Sequence, residues 1–192
     1  MIAIVNLGIG NFSNVKKAVK GIITNDPDKI TKADKVILPG VGSFGYASKQ
    51  LSEIKEALSE IISQDKPFLG ICLGMQLLFE ESEEGKGKGI GLLKGKVVKF
   101  KNVRIPHIGW NQVHVVIDNI PLFKGIKNNS FFYFVHSYYV QPKNQEIVKG
   151  FTEYCEFEFP SVVAKGTIFG VQFHPEKSSD NGLKLLNNFR RL

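Results

Sequence analysis

Apolar runs and amphipathic segments alternate along the first half of the chain. Three runs are apolar enough for strands that are buried on both faces of a sheet: residues 2–5, 36–38 and 67–71. Three segments are predicted to be helices: residues 12–21, which Gly21 ends, and 47–61, in both of which apolar residues recur at helical spacing, and residues 73–83, which directly follow the third strand. Buried strands that alternate with amphipathic helices predict a parallel sheet covered by helices on both faces.

From about Lys94 the pattern changes to short β-type runs separated by turn residues: residues 97–98, 113–116, 131–140, 147–148 and 161–164. The chain then returns to a strand over residues 167–173 and a helix that carries Leu183, Leu186 and Phe189. No internal repeat and no long linker divides the sequence. We therefore expect one α/β domain over residues 1–192, mainly parallel, with an additional antiparallel section in its second half.

The composition is that of an ordinary globular protein, with 43% hydrophobic and 11% aromatic residues, which excludes intrinsic disorder. The net charge of +7 comes mostly from scattered lysines, which favours a solvated surface over a nucleic-acid site. No apolar run has the roughly 20 residues of a membrane helix, and no secretory signal is recognisable. Because two cysteines also suit a reducing compartment, we expect a cytoplasmic protein without nucleic-acid or membrane partners.

Cys72 lies at the junction between the third buried strand and the segment after it, with Gly70 and Gly74 on either side. This spacing is typical of a nucleophile elbow, a tight strand-to-helix turn that presents a nucleophile, here with Cys in place of Ser. The start of the following helix would favour the thiolate. The alternative is an unreactive core thiol, because free cysteine is often buried. Cys155 has no base nearby in sequence and is interpreted as a buried or incidental thiol.

His174 and Glu176 follow the strand over residues 167–173, at the carboxyl end where open α/β sheets place their sites. Pro175 favours an extended residue before it, so that His174 and Glu176 share one face. We predict that His174 is the base for Cys72 and that Glu176 orients its imidazole. A surface His and Glu at a turn would not explain why both motifs end strands of the same predicted sheet.

Residues 39–42 (PGVG) end the strand over residues 36–38, and their glycines would let backbone N–H groups turn toward a developing oxyanion. A simple strand-ending turn is the alternative.

Gly8 and Gly10 lack the acidic partner of a dinucleotide loop, and residues 85–91 lack the Gly-Lys-Ser/Thr of a phosphate loop. No metal or other cofactor is expected, since three of the histidines lack metal-ligand spacing: His107, His114 and His136.

These motifs, with Gln76 following Cys72, resemble those of the class I (triad) glutamine amidotransferases. More narrowly, the chain is similar to the glutaminase subunits of imidazole glycerol phosphate synthase. The segments that carry the resemblance follow in order along nearly the whole chain: residues 8–12, 38–45, 70–85, 106–111, 132–138 and 173–179. The resemblance implies a three-layer, flavodoxin-like fold formed by a single glutamine amidotransferase domain.

The catalytic triad of this family corresponds to Cys72, His174 and Glu176. The resemblance also implies an oxyanion site formed by the backbone N–H groups of Val41 and Leu73. It further implies glutamine recognition by four residues: Gly42, Gln76, Ser137 and Tyr138. The sequence departs from the family at residues 6–7, where relatives often carry Asp-Tyr, and the compact stretch over residues 25–30 leaves a second strand short or lost.

The resemblance implies hydrolysis of glutamine to glutamate and ammonia, with ammonia passed to a (β/α)8-barrel cyclase subunit in histidine biosynthesis. A chain of 192 residues has no room for that barrel, so we expect a heterodimer. The alternatives are a glutaminase subunit of another triad amidotransferase, a γ-glutamyl hydrolase-like cysteine hydrolase, and a non-catalytic binding protein. The resemblance also implies that five residues contact the partner, with a core position as the alternative for the two aromatic ones: Asn11, Asn14, Trp110, Tyr133 and Lys177.

Overall fold

The computed structural model describes residues 1–8, 12–116 and 120–192. The strands are β1 (Ile2–Val5), β2 (Ile22–Thr24), β3 (Lys35–Gly40), β4 (Phe68–Cys72), β5 (Glu81–Ser82), β6 (Gly95–Lys99), β7 (His107–Val115), β8 (Ser130–His136), β9 (Tyr138–Pro142), β10 (Val148–Tyr154), β11 (Phe157–Lys165) and β12 (Ile168–Val171). The helices are α1 (Phe12–Val19), α2 (Pro27–Thr31), α3 (Phe44–Ser52), α4 (Lys55–Ser63), α5 (Leu73–Gln76) and α6 (Ser179–Arg191).

One large mixed sheet organises the molecule, with the strand order β2-β1-β3-β4-β12-β11-β10-β7-β8. Its strands from β2 to β12 are parallel, and those from β12 to β8 pair antiparallel. Strands β5, β6 and β9 form a small second sheet. The predicted α/β fold, with a parallel central part and an antiparallel section, is confirmed. The nucleophile motif at the end of β4 and the histidine motif after β12 therefore lie on neighbouring strands.

Two apolar cores lie on opposite faces of the large sheet, as the continuous hydrophobicity of its parallel strands predicts. In β1, Ala3 and Val5 belong to the core that includes Leu51 of α3 and Leu58 of α4. Ile4 belongs to the other core, with buried residues of α1 and α6: Val15, Val19, Leu185, Leu186 and Phe189. This arrangement gives the three layers, helices on either side of a sheet, that the resemblance implied.

The prediction of one helix over residues 47–61 is wrong, because α3 ends at Ser52 and α4 begins at Lys55. Ile54 leaves helical geometry at the break, with φ −120° and ψ 5°, and its side chain stays buried in the core. The second strand, expected to be short or lost, is present as three-residue β2.

The prediction of a helix over residues 73–83 is also wrong, since α5 ends at Gln76. The carbonyl groups that would continue it are used by a later segment: Ile90 N–H donates to Leu77 O and Leu93 N–H donates to Leu78 O. Three consecutive side chains after α5 are fully buried, which one face of a helix does not permit: Leu77, Leu78 and Phe79. The apolar run over residues 131–140 is likewise divided, into β8 and β9 of different sheets.

Candidate active site

Cys72 ends β4 with φ +53° and ψ −110°, a left-handed conformation that a residue with a side chain rarely adopts. The turn is tight, because a Cβ on Gly70 would lie 2.6 Å from the carbonyl oxygen of Gly74. The strand-to-helix elbow predicted from residues 70–74 is therefore present. The expected support from the helix dipole is limited, since α5 has only four residues.

The side chain of Cys72 is buried but lies between polar groups. Its Sγ lies 3.8 Å from the carbonyl oxygen of Val135 and 3.5 Å from Nε2 of Gln172. The neighbouring strand β3 is in register with it, because Gly40 pairs with Cys72. The sulfur therefore lies between β8 and Gln172, the residue that follows β12.

His174 lies three residues after the end of β12, and its Nδ1 lies 2.8 Å from Oε1 of Glu176. The two side chains are 2% and 3% exposed, so that this contact is shielded from water. Tyr133 of β8 holds the loop through its backbone: its carbonyl accepts from His174 N–H, and its own N–H donates to Oγ of Ser178. The hydroxyl of Ser178 donates to the carbonyl of His174, which completes this clamp. Sequence analysis did not single out Ser178.

The Nε2 atom of His174 is buried and has no hydrogen-bond partner within the described ranges. Burial lowers the pKa of His174, but the charge of a Cys72 thiolate and contact with it, followed by Glu176, together raise that pKa to about 10. Among the influences that raise the pKa of His174, the charge of Cys72 is the largest. The pair is arranged for a thiolate beside an imidazolium.

Gln76 is buried at the end of α5, and its Nε2 lies 3.1 Å from both the Tyr138 carbonyl and Oε1 of Gln172. Ser137 and Tyr138, at the junction of β8 and β9, are half-buried. Gln172 was missed by sequence reasoning, although a polar residue two positions before His174 in an otherwise apolar strand was a signal. The structure brings Gln76 and Tyr138 together and connects them to Cys72 through Gln172.

The predicted oxyanion residues lie on either side of the elbow. Val41 directly follows β3, and a Cβ on Gly40 would lie 3.1 Å from Cβ of Leu73. Gly42 has φ +97°, which glycine adopts readily. Val41, Gly42 and Leu73 are therefore all carried by segments that meet at Cys72.

Four of the five predicted interface residues lie within the described ranges, and Asn11 lies outside them. Trp110 is 52% exposed, so a core position is wrong for it, whereas Tyr133 is half-buried. Their rings are 6.2 Å apart, edge to face, and Nζ of Lys177 lies 5.7 Å from the centre of the Tyr133 ring. Asn14 and Lys177 are exposed.

The remaining sequence candidates do not extend the site. Within residues 1–8, 12–116 and 120–192, no group of three or more His, Cys, Asp or Glu side chains is placed to hold a metal ion. No helix in the same ranges is long and apolar enough to cross a membrane. Cys155 is exposed, so of the two interpretations given for it, a buried or an incidental thiol, the buried one is wrong.

Comparison with known proteins places the chain in one class. The family model for class I glutamine amidotransferases matches residues 11–191. A structure described as a glutamine amidotransferase has a TM-score of 0.77 at 17% identity, covering 100% of this chain and 99% of the other. The structure of PurLQS from Thermotoga maritima has a TM-score of 0.74 at 17% identity, covering 98% and 96%. The chain belongs to the class I glutamine amidotransferase family.

Its curated relatives define the group within this class. A protein from Pyrococcus furiosus named imidazole glycerol phosphate synthase subunit HisH is 63% identical over 192 residues, covering 100% of this chain and 98% of the relative. A protein of the same name from Methanocaldococcus jannaschii is 54% identical over 198 residues, covering 100% of each. The chain is thus a member of the HisH group.

Proposed function

We propose that this chain is the glutaminase subunit of an imidazole glycerol phosphate synthase and supplies ammonia for histidine biosynthesis. The observation that carries the proposal is the position of Cys72, on its elbow at the end of β4, beside the neighbouring strand β12, after which the buried His174–Glu176 pair follows. Membership of the HisH group supports the biosynthetic role. The free thiol of Cys72 must stay reduced for this chemistry, which suits the cytoplasm.

Cys72 is the nucleophile, and its thiolate attacks the side-chain amide carbon of glutamine. The raised pKa of His174 supports an imidazolium at neutral pH, which donates its Nε2 proton to the departing ammonia. Glu176 orients the imidazole through Nδ1 and stabilises its positive charge. The γ-glutamyl thioester is then hydrolysed by water that His174 deprotonates, which releases glutamate and restores the thiolate.

The oxyanion of each tetrahedral intermediate accepts hydrogen bonds from the backbone N–H groups of Val41 and Leu73. The close packing of Gly40 against Leu73 supports this pairing, because it holds the two donor segments together. Because Gly40 precedes Val41, the peptide between residues 40 and 41, which carries the Val41 N–H, can rotate at small cost, so that this donor is adjustable.

Glutamine binds beside Gln76, Gly42 and the backbone of Ser137 and Tyr138. Gln76 already uses both Nε2 protons, on the Tyr138 carbonyl and on Gln172. Its Oε1 is therefore the atom offered to the substrate, and a carbonyl oxygen suits the α-ammonium group of glutamine. The binding segment and Cys72 lie at the same end of the sheet, which supports a side-chain amide placed at the sulfur.

The cyclase subunit docks on the outer face of β7 and β8 near the active-site entrance. Cross-strand pairing aligns an exposed aromatic and aliphatic stripe on this face, made of Ile108, Trp110, Phe131, Tyr133 and Val135. The backbone carbonyl of Val135 is the one that lies 3.8 Å from Cys72 Sγ, so this stripe borders the nucleophile. A partner seated here, with contacts to the exposed residues Asn14 and Lys177 and, as the resemblance implies, to Asn11, would receive ammonia without loss to water.

The test is release of glutamate and ammonia from glutamine by the purified chain, alone and with its cyclase subunit. We expect release in both samples and faster release in the complex. A γ-glutamyl hydrolase-like enzyme would instead cleave γ-glutamyl peptides, so such a peptide is the control substrate. The proposal would be contradicted if the complex released no ammonia from glutamine, or if it cleaved the γ-glutamyl peptide but not glutamine.

A further inference from the structure

The orientation of one buried amide follows from a chain of hydrogen bonds that begins at a backbone carbonyl. The Tyr138 carbonyl can only accept, so the group of Gln76 that lies 3.1 Å from it must be the NH2. The second proton of that NH2 points to Gln172, 3.1 Å away, and therefore meets its oxygen. This leaves the NH2 of Gln172 facing Sγ of Cys72.

The Tyr138 carbonyl is itself fixed by a second set of side chains. His136 donates to it from Nδ1 at 2.8 Å, so Nε2 of His136 is an acceptor and receives the Nδ1 proton of His107 at 3.0 Å. Asn111 donates to the remaining nitrogen of His107 at 3.3 Å. Every donor in this chain has an acceptor, so no amide in it can flip without leaving a buried polar group unpaired.

We propose that Gln172 is a positioning residue for Cys72: its amide N–H donates to the thiolate and holds the sulfur in its attacking position. The distance of 3.5 Å from Nε2 to Sγ is that of a hydrogen bond to sulfur, and Gln172 is fully buried, so no water competes for its amide group. A hydrogen bond to a charged acceptor is stronger than one between neutral groups. If the amide were reversed, its oxygen would face the thiolate and destabilise it.

Gln172 completes the polar surroundings of the sulfur. His174, backed by Glu176, supplies the positive charge, whereas Gln172 is the neutral donor. The inference rests on the proposed nucleophilic role of Cys72, although the hydrogen bond also affects reactions of Cys72 that need no glutamine. A measurement of thiol reactivity therefore separates failure of this inference from failure of the proposed function.

The experiment is the pH dependence of Cys72 alkylation by iodoacetamide, measured by peptide mass spectrometry, together with steady-state glutaminase kinetics of the complex. In Gln172→Met, which cannot donate, we expect the alkylation midpoint to rise by about one to two pH units. We expect kcat to fall at least about tenfold while KM changes less than about threefold. Gln172→Glu keeps the shape and still accepts from Gln76, but places a carboxylate at the sulfur, so its midpoint should rise further.

Thr152→Val is the control, because it removes a different buried hydrogen bond, to Ser161, elsewhere in the sheet. Its midpoint should equal that of the unmodified chain. Should Gln172→Met fail to fold, as judged by circular dichroism, Gln172→Glu carries the test. An alkylation midpoint within about 0.2 pH units of the unmodified value in the folded Gln172 variants would overturn the proposal.

Discussion

Gly74 packs against Leu38 so closely that a Cβ on Gly74 would lie 1.7 Å from the Leu38 carbonyl oxygen. The elbow thus depends on Gly74, because the atom that a side chain there would meet belongs to the backbone of β3, which is held in the sheet. We expect Gly74→Ala to lower the free energy of unfolding by about 3 kcal/mol or more, as overpacking of a core does. Urea unfolding followed by circular dichroism measures this loss.

Gly85→Ala is the matched control for Gly74→Ala. A Cβ there would meet its nearest atom only at 3.7 Å, an ordinary van der Waals distance. Its stability should stay within about 0.5 kcal/mol of the unmodified chain. Equal stability of the two alanine variants would contradict the packing described for the elbow.

The electrostatic link between Cys72 and His174 gives a second prediction. The thiolate charge helps to raise the pKa of His174 to about 10 against the effect of burial. In Cys72→Ala this charge is absent, so the pKa of His174 should fall, and imidazole NMR resonances followed against pH report it. Cys155→Ala, which removes the exposed thiol, should leave it unchanged. The same pKa in Cys72→Ala as in the unmodified chain would disprove the coupling.

The buried pair His107 and His136 predicts acid sensitivity. Burial lowers the pKa of His107 to about 4; for His136, burial outweighs the opposing hydrogen bond to Tyr138 and lowers it to about 3. In the unfolded chain both imidazoles bind a proton near pH 6.5, whereas in the folded chain they stay neutral until the pH approaches 4 and 3. The free energy of unfolding is therefore highest above pH 6.5 and decreases as the pH falls toward the pKa values of the folded chain. Between pH 6.5 and 5 the loss is about 1–2 kcal/mol for each histidine.

Urea unfolding at a series of pH values tests this loss. Between pH 6 and 5, the slope of the free energy of unfolding against pH should show that the unfolded chain binds about two more protons than the folded chain. In His107→Gln this difference should fall to about one proton. His114→Gln removes an exposed imidazole from the same strand and should retain the full slope. A stability that stays constant from pH 6.5 to 5 would show that these histidines are not held neutral by burial.

The exposed stripe on β7 and β8 predicts the energetics of the complex. Trp110 and its edge-to-face partner Tyr133 form an aromatic anchor of the kind that dominates interfaces. Trp110→Ala should raise the Kd for the cyclase subunit by about 30-fold, near 2 kcal/mol, in isothermal titration calorimetry. Leu183→Ala, an exposed apolar residue of α6, should bind as before. Equal affinities of the two variants would move the interface elsewhere.

Much of the site could be predicted from local sequence because its key groups lie within short segments. The glycines around Cys72 dictate a tight turn, and His174 is extended before Pro175 as predicted. The pairing of His174 with Glu176 is present, but Glu176 reaches the imidazole from a 3-10 turn over Pro175–Lys177 and not from one face of an extended segment. Both motifs end apolar strands, and parallel strands place their carboxyl ends at one edge. The local pattern was therefore enough to bring these residues together.

The remaining parts depend on contacts between distant segments. Gln172 is 96 positions from Gln76 and 100 from Cys72, so no local pattern indicates that it joins them. The role of Ser178 likewise arises only when Tyr133 arrives from β8. The predicted helix after Cys72 failed for the same reason, because its carbonyl groups are taken by Ile90 and Leu93. Tertiary pairing here overrides local helical preference.

The central claim is that Cys72 is the nucleophile that releases ammonia from glutamine for the partner. It is tested by measuring two reaction rates on one preparation of the Cys72→Ala complex. One is the cyclase reaction driven by glutamine, and the other is the same reaction driven by added ammonium. We predict that the glutamine-dependent rate is lost while the ammonium-dependent rate stays near that of the unmodified complex, because the partner's own site is intact. Glutamine-dependent turnover near the unmodified rate in Cys72→Ala would contradict the account.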